Sequence, residues 1–156
     1  MASERFRDVV EAMDYAMAAR GAHGVLALLN SRVPHRFTGI YRLDAPMLRS
    51  VRLFDRENPA LEVGVDAPMR ETYCSIVGSA AEPFTTPDAA GDARLAAHPA
   101  RESTLAYCGV PLLGADGTPL GTLCHFDLVP RPVPHGEIPV LLAAAPLLLP
   151  AVLGPG

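Results

Sequence analysis

Apolar residues recur at helical spacing in the N-terminal part of the chain. The apolar positions are Phe6, Val9, Val10, Met13 and Met17, and charged residues fall on the opposite side. This period predicts an amphipathic helix over Glu4–Ala19 that ends at Gly21. The short apolar stretch Val25–Leu29 is predicted to be helical as well.

Two pairs of strand-like runs follow. His35–Leu43 and Met47–Phe54 are separated by a short turn that contains proline. Leu105–Leu113 and Leu120–Leu128 are separated by Asp116-Gly117, a pair that tolerates the positive φ angles of short hairpin turns. Each pair is therefore predicted to form an antiparallel hairpin.

Between the hairpins the pattern is less regular. Asp66 stands where a helix N-cap is expected, and Gly78 is the predicted end of that middle helix. Phe84–Thr86 is predicted to be a short extended piece, and residues 88–97 a loop with one helical turn.

The C-terminal segment Ile138–Leu153 is almost wholly apolar. It is shorter than the roughly 20 residues of a bilayer helix and is interrupted by prolines, so no membrane span is predicted. Pro146 is expected to kink or end the helix. Because an all-apolar helix must be covered on every side, the segment predicts self-association.

The order of elements is helix, two strands, helix with irregular loops, two or three strands, helix. This order predicts an α+β fold with a central antiparallel sheet of five or six strands. The length of 156 residues suits one domain, residues 1–156.

The charge balance bears on the class of partner. The net charge is −4, and all 13 basic residues are arginine. Nucleic acid is therefore not expected as a partner, because phosphate-backbone binding needs clustered positive charge. Three cysteines and an N-terminus without an apolar signal core predict a cytoplasmic protein.

Several segments resemble one family. Tyr107–Leu112 reads Y-C-G-V-P-L, and Asp116–Asp127 reads D-G-T-P-L-G-T-L-C-H-F-D. Together with Arg36–Tyr41, Glu71–Cys74 and Phe84–Asp88, they resemble the GAF domain family, small cytoplasmic modules that bind ligands and relay signals.

The resemblance carries expectations about the architecture. It covers about residues 24–132 as the domain core, with residues 1–23 as an N-terminal helix and residues 133–156 as an apolar C-terminal helix. In GAF domains the terminal helices cover one face of the sheet, while the middle helix and loops roof a pocket over the other.

The resemblance also implies which residues line the pocket. The candidate ligand-binding residues are Tyr41, Tyr73, Cys74, Phe84, Asp88, His98, Tyr107 and His125. Such a mixture of aromatic bodies and polar tips suits a small, partly apolar ligand. The alternative is that the aromatic residues simply fill the core of a protein without tryptophan.

The cysteines and histidines do not predict a metal site. Cys124 and His125 are neighbours on a strand and point to opposite faces, so they cannot share one ion. Cys108 and Cys124 are expected to be structural. Cys74 is the thiol to consider for chemistry, although no cationic neighbour is evident that would lower its pKa.

Family subtypes can be compared with the chain. It has no lysine for the N-K-x-F-D-E signature of cyclic-nucleotide-binding members, and no Cys-His pair in the pocket loop for a bilin. Free methionine-R-sulfoxide reductases use cysteines between the middle helix and the closing strands, where residues 79–105 have none. No cofactor is expected.

These observations predict a sensory or regulatory domain in signal transduction. It binds an unknown small molecule, forms a homodimer through its terminal helices and is not an enzyme. One alternative is a thiol-dependent enzyme, such as a free methionine-R-sulfoxide reductase, that uses Cys74. A second is a dimerisation scaffold with a filled core and no ligand.

Overall fold

The N-terminal helix is bent at a glycine. The computed structural model describes residues 2–154, with side chains from Arg5 onward. Helix α1 spans Ala2–Asn30, and Gly21 (φ 71°, ψ −162°) joins its two helical segments. The predicted end of the first segment at Gly21 and the helical stretch after it are confirmed. Met13 and Leu26, one from each segment, are buried.

The six strands form a single antiparallel sheet. They are β1 (Phe37–Asp44), β2 (Met47–Asp55), β3 (Ala67–Pro68), β4 (Phe84–Thr86), β5 (Ala106–Leu113) and β6 (Pro119–Asp127). Their order across the sheet is β3-β2-β1-β6-β5-β4. Both predicted hairpins and the short strand β4 are confirmed. The turn between β5 and β6 contains Gly117 with φ 84°, as its Asp-Gly pair predicts.

The middle segment differs from its prediction. Asp66 caps no helix, because its carboxylate accepts hydrogen bonds from the Ser50 backbone N–H (2.9 Å) and Arg49 (3.2 Å). The chain then forms β3 and a 3-10 turn, and helix α2 begins only at Cys74. This helix spans Cys74–Ala80, so Gly78 lies inside it and does not end it.

Helix α3, Glu137–Leu153, continues through Pro146 and Pro150, so Pro146 does not end it. Both prolines lie on its exposed side, where water can bond the carbonyl groups that lose an N–H partner. On the opposite side, buried apolar residues at helical spacing pack into the core. Within residues 2–154, no helix is both long and apolar enough to cross a bilayer.

Two apolar clusters lie on opposite faces of the sheet. One joins α1 and α3 to inward residues such as Ile40, Val110 and Leu123. The other joins α2 and its flanking loops to residues such as Tyr41 and Tyr107. The predicted α+β architecture, with terminal helices on one face and the middle helix on the other, is confirmed.

Candidate ligand-binding site

A cavity of about 120 Å³ lies between the sheet and the segment that contains α2. Strands β1, β5 and β6 contribute its floor, and residues around the start of α2 contribute its roof. The lining residues are Tyr41, Leu48, Val65, Ala67, Glu71, Thr72, Tyr73, Cys74, Ala100, Thr104, Tyr107, Cys124 and Phe126. Apolar side chains predominate, and the polar atoms are few.

Three tyrosines give the cavity its polar character. Tyr73 donates its hydroxyl to the Thr104 carbonyl (2.8 Å), and its ring meets Tyr107 edge to face at 5.5 Å. Burial raises the pKa of Tyr73 to about 12 and raises the pKa of Tyr41 and Tyr107 above the usual value. All three phenols therefore keep their protons at neutral pH and can donate hydrogen bonds.

The Tyr107 ring lies along the sheet, over a glycine. A Cβ atom at Gly109 would collide with the ring and hydroxyl of Tyr107. A side chain at this position would therefore displace the phenol from the cavity wall.

Cys74 lies among hydrogen-bond donors at the start of α2. Its Sγ is 3.1 Å from the Thr122 hydroxyl, which donates to it, and 3.3 Å from the Tyr107 hydroxyl. A hydrogen bond with Cys124 and these hydroxyls outweigh burial and lower the pKa of the Cys74 thiol. The lowering of this pKa therefore comes from neutral hydrogen-bonding groups.

Four of the eight expected site residues line the cavity: Tyr41, Tyr73, Cys74 and Tyr107. Two others support the roof from behind. Phe84 packs against Tyr73 and Tyr107, each at 6.3 Å between ring centroids. The His98 ring lies 4.7 Å from that of Tyr73, and its Nε2 is 3.2 Å from the Thr72 carbonyl oxygen.

The remaining two, Asp88 and His125, do not line the cavity. Asp88 is exposed before a 3-10 turn. His125 points to the opposite face of the sheet, because strand alternation assigns the cavity face to its neighbour Cys124. Its Nδ1 is 2.7 Å from the Thr38 hydroxyl and its Nε2 is 2.7 Å from the Glu137 carboxylate.

Sequence reasoning missed several lining residues. Cys124 and Phe126 share the cavity face of β6 with Thr122, and that period of two could have identified them. Leu48 and Ala100 carried no such signal, because distant chain segments bring them together. Within the described range 2–154, no three His, Cys, Asp or Glu side chains are grouped as metal ligands.

Comparison with known proteins identifies the fold. No family model and no curated protein sequence matches the chain. The GAF domain of an Acinetobacter phosphoenolpyruvate-protein phosphotransferase matches with a TM-score of 0.74 at 14% identity, covering 96% of this chain and 93% of that one. The corresponding domain from Coxiella burnetii has a TM-score of 0.70 at 15% identity, with 96% and 93% coverage.

An enzyme shares the same architecture. The free methionine-R-sulfoxide reductase of Neisseria meningitidis, solved in complex with its substrate, has a TM-score of 0.68 at 15% identity, covering 96% of this chain and 88% of that one. The chain has the GAF fold. At such low sequence identity, structural similarity establishes the fold but not the activity, which depends on the residues of the site.

Proposed function

We propose that this protein is a sensory or regulatory domain that binds a small molecule non-covalently in the cavity beneath α2. The observation that carries the proposal is the void itself, since apolar walls with a few oriented polar groups are typical of ligand sites. The Tyr41 hydroxyl makes no hydrogen bond within residues 2–154, so this donor is free to bind a ligand.

The volume limits the ligand. Drug-sized sites enclose about 300–1,000 Å³, whereas an engineered apolar cavity of about 150 Å³ binds benzene. At about 120 Å³ the cavity suits a compact molecule of that order. The Tyr41 hydroxyl favours a ligand that carries a hydrogen-bond acceptor at its edge.

Ligand binding can be coupled to assembly. We propose a homodimer through α1 and α3, because Leu142 and Leu153 on α3 are 45% and 57% exposed. A ligand would alter this assembly only if it bound one arrangement of the helices more tightly than another.

Native mass spectrometry of the protein purified from cells tests ligand binding. We expect a retained small molecule in the wild type and its loss in Ala100→Leu, which extends a buried side chain into the cavity. Ala60→Leu, at an exposed position in the loop after β2 and outside the cavity lining, is the matched control. A bare dimer for the wild type would favour the scaffold alternative, and circular dichroism establishes that each variant is folded.

A thiol-dependent enzyme is the second candidate, favoured by the lowered pKa of Cys74. In a methionine sulfoxide reduction, the Cys74 thiolate would attack the sulfoxide sulfur, and uptake of one proton from solvent would release methionine and leave Cys74 as a sulfenic acid. Condensation with the Cys124 thiol would release water and form a disulfide for an external dithiol to reduce.

Turnover of free methionine sulfoxide, coupled to NADPH through thioredoxin, tests the second candidate. Under this candidate Cys74→Ser and Cys124→Ser abolish turnover, whereas Cys108→Ser on the other face retains it. Absence of turnover by the wild type would eliminate the candidate.

A further inference from the structure

A second concave surface lies on the helix-covered side of the sheet, away from the cavity. It is a groove of about 670 Å³ between the α1 bend, strand β2 and the C-terminal end of α3. Four arginines line it: Arg20, Arg42, Arg49 and Arg52. We call it the arginine groove.

The charge in the arginine groove is opposite to that of the whole chain. The chain has 13 basic and 17 acidic residues, yet Glu62 is the only acidic residue among the groove's lining residues. Clustered charge of one sign in a concavity raises the local concentration of oppositely charged ligands. The groove is therefore an attractive surface for anions on an acidic protein.

Among the side chains that the structure describes, three of these guanidinium groups have no carboxylate partner. Elsewhere, Arg32, Arg36, Arg94 and Arg131 each form an ion pair with a carboxylate. No carboxylate of residues 5–154 forms an ion pair with Arg20, Arg42 or Arg52. Arg42 donates its Nε to the Val152 carbonyl (2.9 Å), and Arg52 donates one Nη to the Val51 carbonyl (2.8 Å).

The sheet register brings two of the arginines directly opposite one another. Arg42 on β1 and Arg49 on β2 are cross-strand partners. Like charges in this position destabilise a sheet, so each guanidinium needs a counter-charge. Arg49 has two, Asp44 at 3.1 Å and Asp66 at 3.2 Å, whereas Arg42, among the described residues, bonds only a backbone carbonyl group and leaves its charge available to a bound anion.

Two further features border the groove. The Nδ1 atom of His23 is buried without a hydrogen-bond partner in the described part of the chain, and the residue lies in the groove wall. The last turn of α3, whose carbonyl groups disfavour anions, is also nearby, but Arg42 already bonds one of those carbonyl groups.

We propose that the arginine groove binds a soluble polyanion of nucleotide size, with at least two phosphoryl groups. Guanidinium groups match phosphate geometry through paired N–H donors, and such charge-assisted bonds are among the strongest in proteins. The site lies across the sheet from the cavity and would give the protein a second input.

Isothermal titration calorimetry with inorganic tripolyphosphate and with ATP tests the proposal. The test variant Arg20→Gln/Arg52→Gln removes two exposed groove arginines. The control Arg7→Gln/Arg70→Gln removes the same charge from exposed positions outside the groove. We expect wild-type binding of at least one probe, weakened about tenfold or more in the test variant and by less than about twofold in the control.

Three results would overturn the proposal. One is no binding of either probe by the wild type, and another is equal weakening by the two double variants, which would indicate non-specific charge attraction. The third is binding only to vesicles that contain phosphatidylinositol 4,5-bisphosphate, which would assign the groove to a lipid surface.

Discussion

The two faces of the sheet use buried polar groups for different purposes. On the helix-covered face, His125 bonds both the Thr38 hydroxyl and Glu137, and Glu137 also pairs with Arg32. This network connects the end of α1, the sheet and the start of α3. On the cavity face, the buried polar groups surround a void and one thiol, Cys74.

This difference indicates that the helix-covered face stabilises the fold, whereas the elements of the cavity face can change their arrangement. Buried charges with complete partners hold elements in one arrangement and are costly to break. The cavity face has no comparable ion pair within residues 2–154, and its roof rests on apolar contacts and a few neutral hydrogen bonds. We therefore expect the cavity face to accommodate ligands while the helix-covered face stays fixed.

The largest effect is expected for Glu137→Ala. Glu137 is 1% exposed, and its loss leaves the buried His125 and the partly exposed Arg32 without their carboxylate. We expect the free energy of unfolding to fall by about 3–5 kcal/mol in urea denaturation. Glu57→Ala, which removes a 67% exposed partner of Arg36, should change it by no more than about 0.5 kcal/mol. Equal losses of unfolding free energy in Glu137→Ala and Glu57→Ala would contradict the stabilising role of the buried network.

A matched pair of leucine truncations compares the packing of the two faces directly. Leu123, on the helix-covered face, is fully buried, whereas Leu48 is 3% exposed and borders the cavity. A side chain beside a void has fewer atoms in contact with it. Leu123→Ala should therefore cost about 3–4 kcal/mol and Leu48→Ala about 2 kcal/mol by urea denaturation. A larger cost for Leu48→Ala would indicate that the cavity is filled.

The stability of the helix-covered face should depend on His35. Burial, followed by repulsion from His125, lowers the pKa of His35 from 6.5 to about 4. Between these values the unfolded chain binds a proton that the folded protein does not, so stability is present above pH 6.5 and is lost as the pH falls towards 4. We expect a loss of about 2–3 kcal/mol from this residue across that window.

Urea denaturation of His35→Phe at several pH values isolates this contribution. In His35→Phe, the free energy of unfolding should lose the pH dependence that His35 contributes between pH 6.5 and 4. His135→Gln, at an exposed position, should keep that pH dependence. An unchanged pH dependence of the unfolding free energy in His35→Phe would show that His35 does not cause it.

The smallest effect concerns the thiols on the two faces. Cys74 has a lowered pKa, whereas burial raises the pKa of Cys108 to about 12. Methyl methanethiosulfonate should therefore modify Cys74 before Cys108, as followed by peptide mass mapping. Thr122→Val removes one donor to Cys74 and should therefore raise the pKa of its thiol. Faster modification of Cys108 than of Cys74 would contradict the predicted order of thiol reactivity.

The sequence predicts the elements whose signals are local. The Asp116-Gly117 turn and the apolar runs beside it define the closing hairpin, and Gly21 marks the bend in α1. Strand alternation correctly separates Cys124 from His125, although it does not say which of them faces the cavity. That choice depends on where α2 and α3 pack, which is a property of the whole fold.

The errors arise where distant contacts override local preference. Asp66 has the chemistry of an N-cap, but Arg49 and Ser50 on β2 engage its carboxylate. Pro146 has the chemistry of a helix breaker, but the burial of residues such as Leu148 sustains α3. The donors around Cys74 likewise come from strands β5 and β6, remote in sequence from α2.

A crystal structure of the protein under xenon pressure can show whether a cavity lies between α2 and the sheet. Xenon occupies apolar cavities of this size without requiring a specific ligand. We expect a xenon atom between α2 and the sheet, in contact with residues such as Tyr107 and Leu48. A roof closed onto the sheet, with no xenon between α2 and the strands, would contradict the presence of the cavity.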